Sequence, residues 1–294
     1  NYEAPNPEAA RAAAPALTMS LNGVRPGGLR PTLTSEGAST GPLASADVDG
    51  DGDLDVFMGG RAYQGAYPLV PTSRLFIRNA AGDLVYDSVA SAPLSRTGLV
   101  SAATFTDIDG DSDPDLVLAM DWGPPRLFVN QDGRFFDRTR EWGLAPYSSW
   151  WNGVTAGDLD SDGRMDLVLT SWGRNIGLRP EVGRPLIAYW GDFDRSGTLD
   201  VLLAMLDDRI GGVAPLSNLL RLSTGLPFVR RQTTPTFGAY ADATLDQVLG
   251  PSSQTARMNE VSTLDHMIFL NRGDRFEALT LPSKSQEAPA HGVS

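Results

Sequence analysis

The chain has no cysteine, so disulfides, thiolate metal sites and a cysteine nucleophile are all excluded. Histidine is nearly absent: His266 and His291 are the only two in 294 residues. An activated serine or cysteine needs a base beside it. His266 falls within a strand-like run and His291 near the end of the sequence, so both read as packed or exposed side chains. Basic residues are scarce, 24 against 36 acidic, for a net charge of −12. A nucleic-acid surface requires a basic face, so that class is excluded. No apolar run reaches the ~18 residues of a membrane-spanning helix. No glycine-rich phosphate loop opens a helix, and no histidine-rich metal cluster occurs. The expectation is a chain that is not an enzyme.

What the sequence does have is aspartate in a fixed rhythm. Asp47-Val-Asp-Gly-Asp-Gly-Asp-Leu-Asp55 places an acid at every odd position of nine residues. Asp47, Asp49 and Asp51 can turn towards one centre. Gly52 allows the sharp turn, the Asp53 carbonyl points inward, and Asp55 closes the site from the next strand. Hard oxygen donors at alternate positions around a glycine turn follow the ligand logic of a calcium loop. Left bare, two carboxylates ~5 Å apart repel by roughly 3 kcal/mol at an effective dielectric of ~20.

The pattern recurs at Asp107, Asp109, Asp111, Asp113 and Asp115; at Asp158, Asp160, Asp162, Arg164 and Asp166; and at Asp192, Asp194, Ser196, Thr198 and Asp200. An apolar run follows each loop. The four loops hold nearly half of the acidic residues, and four bound dications would cancel most of the net charge. The acidity is therefore explained by metal, not by a cationic partner.

Around the loops lie short strands and turns. The first unit reads Leu43–Ala46, Leu54–Met58, Arg74–Arg78 and Leu84–Tyr86. The second reads Ala102–Phe105, Leu116–Met120, Arg126–Val129 and Arg134–Phe136. The third has strands near Val154 and at Leu167–Thr170. The fourth has Leu186–Tyr189 and Val201–Met205. Residues 206–264, with helical spacing at Pro215–Leu222 and Ala239–Leu249, read as an insertion splitting the fourth unit. The hairpin His266–Leu279 then completes that unit. Residues 1–34 read as an extension with one or two strands in 17–34, and Ala290–Ser294 as the first strand of a further unit. Units that cannot bury a face alone, repeated along a chain, make a solenoid or a propeller. Four strands per unit favour an all-β propeller over residues 35–294.

The loops resemble FG-GAP or VCBS repeats, the calcium-binding blades of integrin α-subunit heads and of many bacterial extracytoplasmic proteins. Ala46–Asp55 and Leu127-Phe-Val-Asn130 with Gly133-Arg-Phe135 carry the likeness, which extends over about residues 40–294. It is strongest to bacterial proteins related to the ASPIC/UnbV group and to cartilage acidic protein. The resemblance implies a propeller with calcium in the loop between the first two strands of each blade. By that motif, positions one, three, five and nine supply side chains and position seven a carbonyl. Ser112, Pro114 and Ser196 depart from the pattern. Ser196 replaces a carboxylate, which makes the fourth site the expected weakest.

Aromatic residues gather after the second strands: Trp122, Trp172, Tyr63 and Tyr67, with Trp150 and Trp151 before the third unit. Arg61, Arg126 and Arg174 accompany them. The composition suits a binding face opposite the metal loops; packing between units is the competing reading for Trp122 and Trp172, and partial exposure is expected for Trp150 and Trp151. The expected function is a calcium-stabilised, extracytoplasmic scaffold that binds a protein partner; an accessory subunit of a larger membrane-attached assembly is a further reading. The alternative is a carbohydrate-binding propeller, a lectin or the non-catalytic part of a polysaccharide-active enzyme.

Overall fold

The computed structural model describes residues 15–18, 31–34 and 38–293. Most of the 1–34 extension lies outside the described residues. Within it, Pro15–Thr18 pairs antiparallel with Pro31–Thr34.

The fold is all-β, built from antiparallel sheets with the metal-type loops between adjacent strands. The first sheet runs Ala38–Ala46, Asp55–Tyr63, Arg74–Arg78 and Leu84–Tyr86 in sequential order. The second runs Leu99–Thr106, Asp115–Gly123, Arg126–Gln131 and Arg134–Asp137, with Ser149–Trp150 added to the far end of its second strand. Several strands run beyond their expected bounds, as Ala38–Ala46 and Asp55–Tyr63 do, whereas Arg74–Arg78 and Leu84–Tyr86 keep theirs.

The third sheet corrects the sequence reading. Gly153–Gly157 pairs with Asp166–Thr170, which pairs with Met267–Asn271, then Phe276–Thr280. The hairpin expected to finish the fourth unit thus finishes the third. The cause is visible at its corner: the Asn271 N–H donates to Asp166 Oδ1 at 2.8 Å. The same bond joins Asn130 to Asp115 and Arg78 to Asp55. The insertion is therefore longer than 206–264, reaching from Thr170 to Met267.

That insertion contains the whole fourth sheet, ordered Gly212–Pro215, Asp200–Asp207, Leu186–Gly191 and Arg257–Val261. Its outermost strand adds to the opposite edge from the usual one, beside Leu186–Gly191. The helical spacing resolves into short helices at Leu219–Gly225, Phe237–Ala241 and Leu245–Leu249. Pro215 instead ends a strand.

The first three sheets pack face to face in sequence order. Strand residues alternate sides, and in the middle of the stack both sides are buried, which is why Leu116–Met120 is apolar throughout. Leu116, Leu118 and Phe128 meet Phe57 and Leu75 of the first sheet. Val117, Leu127 and Val129 face Leu167, Leu169 and Phe269 of the third. The fourth sheet packs Leu202 and Ala204 on the helices through Leu219, Val229 and Val248.

Candidate metal centres

Each loop is held by its first and ninth residues. Asp47 Oδ1 accepts the Gly50 and Asp51 N–H groups at 2.8 and 3.1 Å, and Oδ2 accepts Gly52 N–H at 2.9 Å. Asp107, Asp158 and Asp192 curl their loops in the same way. Asp55 works from the other end: Oδ2 takes Val48 N–H and Oδ1 takes Arg78 N–H, at 3.0 and 2.8 Å. Asp115 and Asp166 repeat both bonds. Asp200 keeps only the first, from Phe193 N–H at 3.1 Å.

Two backbone positions per loop are left-handed. Gly50 and Gly52 fill them in the first loop, at φ 75° and 91°. Ser112, Ser161 and Arg195 occupy equivalent positions at φ 79°, 63° and 60°. Side chains are strained there. The sequence singled out Ser112 alone.

The curl gathers carboxylates. Asp47, Asp49 and Asp55 place oxygens within 4.8 Å of one another, as do Asp107, Asp109 and Asp115; Asp158, Asp160 and Asp166; and Asp192, Asp194 and Asp200. These clusters can hold a metal ion. The donors are all carboxylate oxygens, which suits a hard cation. The fifth-position carboxylates of Asp51, Asp111 and Asp162 lie outside the clusters. Asp51, Asp111 and Asp162 instead accept the N–H of Asp53, Asp113 and Arg164. Ser196 shares a hydrogen bond with the Thr198 hydroxyl at 2.8 Å.

Burial makes the clusters electrostatically costly. Asp115 is 0% exposed, and desolvation pushes its carboxyl up to about 7, against the opposing Asn130 and Ile108 N–H bonds. Asp55, Asp109 and Asp200 are also raised, by burial first and then by their acidic neighbours.

The third cluster differs from the others. Arg272 Nη1 bonds Asp160 Oδ2 at 2.6 Å and lies 3.8 Å from Asp162. Arg164 bonds Asp162 and also reaches the Asn271 carbonyl at 3.0 Å. Two guanidinium groups already answer this loop's charge. The sequence did not single out Arg272, because the hairpin that carries it was assigned to another unit.

The aromatic face is consumed by packing. Trp151 is 0% exposed and lies between the second and third sheets, so its expected partial exposure is not found. Trp122 is 8% exposed and donates through Nε1 to the Tyr67 hydroxyl at 2.5 Å; that hydroxyl donates to Asp121 at 3.1 Å. Trp150 stacks edge-on to Trp122 and Trp172, with centroids 5.0 and 5.7 Å away. The fourth sheet closes over this group with Leu186, Ala188 and Val261. Tyr63 is half-buried. Arg61 pairs with Asp121 at 3.5 Å, Arg126 with Asp137 at 3.1 Å and Arg174 with Asp265 at 2.6 Å. His266 is structural: Nδ1 accepts Ser171 N–H at 2.8 Å, leaving Nε2 to donate to the Ala288 carbonyl at 2.9 Å. His291 lies edge-on to Trp172.

The metal-type loops, repeated on stacked four-stranded sheets, define the class. The FG-GAP-like repeat family matches residues 47–118 and 107–169, so the chain carries FG-GAP-like repeats across its first three loops. Among curated proteins none matches the chain.

Proposed function

We propose that the chain is a calcium-stabilised β-propeller-type module that acts outside the cytoplasm as a non-catalytic binding or scaffold part. One observation carries the reading: four loops gather carboxylate oxygens from residues one, three and nine within 4.8 Å, all on the same local frame. Calcium accepts such oxygen-only, loop-borne sets. Magnesium demands a tighter octahedron and dehydrates reluctantly. Loops of this kind in extracellular modules work at the calcium levels found outside the cytoplasm, about 0.1–1 mM. The ligands serve the loops' own geometry, which favours a structural metal over a catalytic one.

The carbohydrate-binding alternative is less favoured, since Trp151 lies between the second and third sheets and Trp122, Trp150 and Trp172 pack on one another and under the fourth sheet. The test is thermal unfolding in excess EGTA, in EGTA with magnesium, and in millimolar calcium. Each site at 100 times its dissociation constant adds about 2.7 kcal/mol. Equal midpoints in the three buffers, with metal content verified, would end the calcium reading. Fractionation of the producing cell tests the location.

A further inference from the structure

The ninth loop residue of each of the first three sheets meets the end of the third strand. Asp55, Asp115 and Asp166 accept the N–H of Arg78, Asn130 and Asn271 on Oδ1, each at 2.8 Å. Asp200 accepts Phe193 N–H on Oδ2, and among the described residues nothing donates to its Oδ1. The cause lies in the neighbouring strand. Gly212–Pro215 pairs with residues 204–207 and goes no further. Leu216 N–H still reaches the Leu203 carbonyl at 2.8 Å. The chain then turns away to Asn218, which caps the helix Leu219–Gly225.

Residues 200–202 are thereby left with one side open among the described strands. N–H and carbonyl groups two residues apart on a strand share a side. The Leu203 carbonyl faces the open side, so the Val201 N–H and carbonyl face it too. Neither has a partner among the described residues. Val201 and Leu216 are 36% and 44% exposed. A groove of about 500 Å³ lies here, lined by residues 200–203 and by Leu222 and Leu226. Arg221 lines it as well, and has no ion-pair partner among the described residues. An open strand edge is a template for pairing, which lysine, proline or a bulge usually blunts. Residues 201–203 carry none of these.

We propose that this gap binds an extended apolar peptide segment of a partner protein, added as a strand beside residues 200–203. The inference gives the proposed binding role its partner class and rests on that reading. The third sheet fixes the register. There Met267 lies opposite Leu169, Phe269 opposite Leu167, and Asn271 N–H meets Asp166. The bound segment sets one residue opposite Leu203 and the second after it opposite Val201. The fourth after it gives its N–H to Asp200 Oδ1. The residue opposite Leu202 shares the face on which Leu202 packs with Leu222 and Leu226, so it is aliphatic. The C-terminal end runs towards the acidic loop, so an acidic flank belongs at the N-terminal end, where Arg221 answers it. A gap this short, closed at one end by Leu216, admits a single chain and not the edge of another sheet.

The probe is a capped synthetic peptide with the sequence of residues 266–272 behind two added glutamates. Its fluorescence anisotropy with the full chain should show saturable binding. Methylating the backbone nitrogen of its phenylalanine, which faces the edge, should weaken binding at least about tenfold. Methylating that of the following leucine, which faces away, should change it by less than about twofold. Val201→Pro removes the N–H that meets the segment and none that faces Leu186–Gly191, and should also cost at least about tenfold.

No saturable binding, or equal loss from the two methylated peptides, would overturn the inference. The methylated peptides meet the unaltered chain, so they decide it even where Val201→Pro fails to fold. Tighter binding with lysines in place of the two glutamates would overturn the stated chemistry of the partner. Self-association of the parent that Val201→Pro abolishes would name a second copy as the occupant, with the same consequence. All arms run in calcium and in EGTA. Equal thermal midpoints in the two would remove the calcium reading while leaving peptide binding readable.

Discussion

The Asn271 side chain donates to the Ile108 carbonyl, 2.8 Å away and 163 residues earlier in the chain. The bond joins the third sheet to the second loop. It forms only because the hairpin after the insertion returns to the sheet that the insertion interrupts. Asn130 makes the matching bond to Val48. Asn271 also reaches the Met165 carbonyl at 3.2 Å, and its Oδ1 accepts Gly273 N–H at 2.8 Å. Asn130 Oδ1 has no partner. Losing a buried partner costs about 1–3 kcal/mol. Asn271→Ala should therefore destabilise by about 2–3 kcal/mol and Asn130→Ala by about 1–2 kcal/mol, read from urea unfolding in calcium. The reverse order would mean that the inter-sheet bond alone sets the cost.

On the proposed calcium reading, Arg272 would compete with metal at the third loop. It holds Asp160 at 2.6 Å with both side chains about a third exposed. Exposed pairs of this kind contribute little to stability. Arg272→Gln should lower the midpoint slightly in EGTA and tighten calcium at this loop about two- to fivefold. Titration calorimetry of parent and variant decides it, and weaker calcium binding in the variant would refute competition. Asp160→Ala should still cost more in calcium than Ser196→Ala, since it removes a charged oxygen from a cluster and Ser196 offers only a neutral hydroxyl.

How much of this could be read in advance divides along contact range. The loops were legible because their constraints are local: Asp47 and Asp55 bond amides no more than seven residues away, apart from Arg78. Strand positions followed from apolar runs with turns between them. The ownership of the hairpin at 267–280 was not legible, because Asn271 pairs with Asp166 across 105 residues and nothing near either residue records it. The aromatic face was legible only in part: Trp122 and Trp172 pack, as one of their two readings had it, and Trp150 is partly buried, whereas Trp151 lies in the core. Trp122 and Trp150 look like a binding rim until the fourth sheet is in place, and Leu186 and Val261 carry no sign of where they dock.

Asp121 lies beneath that face and gives a pH test. Burial raises its carboxyl above the ordinary 3.8, although the Arg61 cation and the Tyr67 hydroxyl pull the other way. The folded state therefore keeps a proton that the unfolded chain has already released. Stability contributed by this group is present at low pH and falls as pH rises from 3.8 through the folded value. Asp121→Asn removes the titration and keeps an acceptor for Tyr67. The stability difference, parent minus variant, should shrink steadily above about pH 4, measured by urea midpoints at saturating calcium. A difference that is flat over this range, or that grows, would show that Arg61 outweighs burial.

The insertion can be removed without touching the cores that hold the first three sheets. Its two ends lie together: Gly173 N–H donates to the Leu264 carbonyl at 2.7 Å, and Arg174 pairs with Asp265 at 2.6 Å. Neither the core between the first and second sheets nor that between the second and third uses a residue from 175–263. The insertion's own core is wholly internal, from Phe193 to Leu249. The seam built on Trp122, Leu186, Ala188 and Val261 crosses between them, together with hydrogen bonds from Ser262 and Thr263 to the Pro146 and Ser148 carbonyls. Replacing 175–263 by a short glycine linker should therefore leave a cooperatively folded three-sheet protein that is less stable. The loss should be about 2–5 kcal/mol, the scale of uncovering one large side chain or two at that seam. Tryptophan emission should move to the red as Trp122, Trp150 and Trp172 meet water, and calcium stoichiometry should fall by the one site of the fourth loop. A collapse of all cooperative unfolding would show that the fourth sheet is part of the same folding unit, and that the stack does not stand without it.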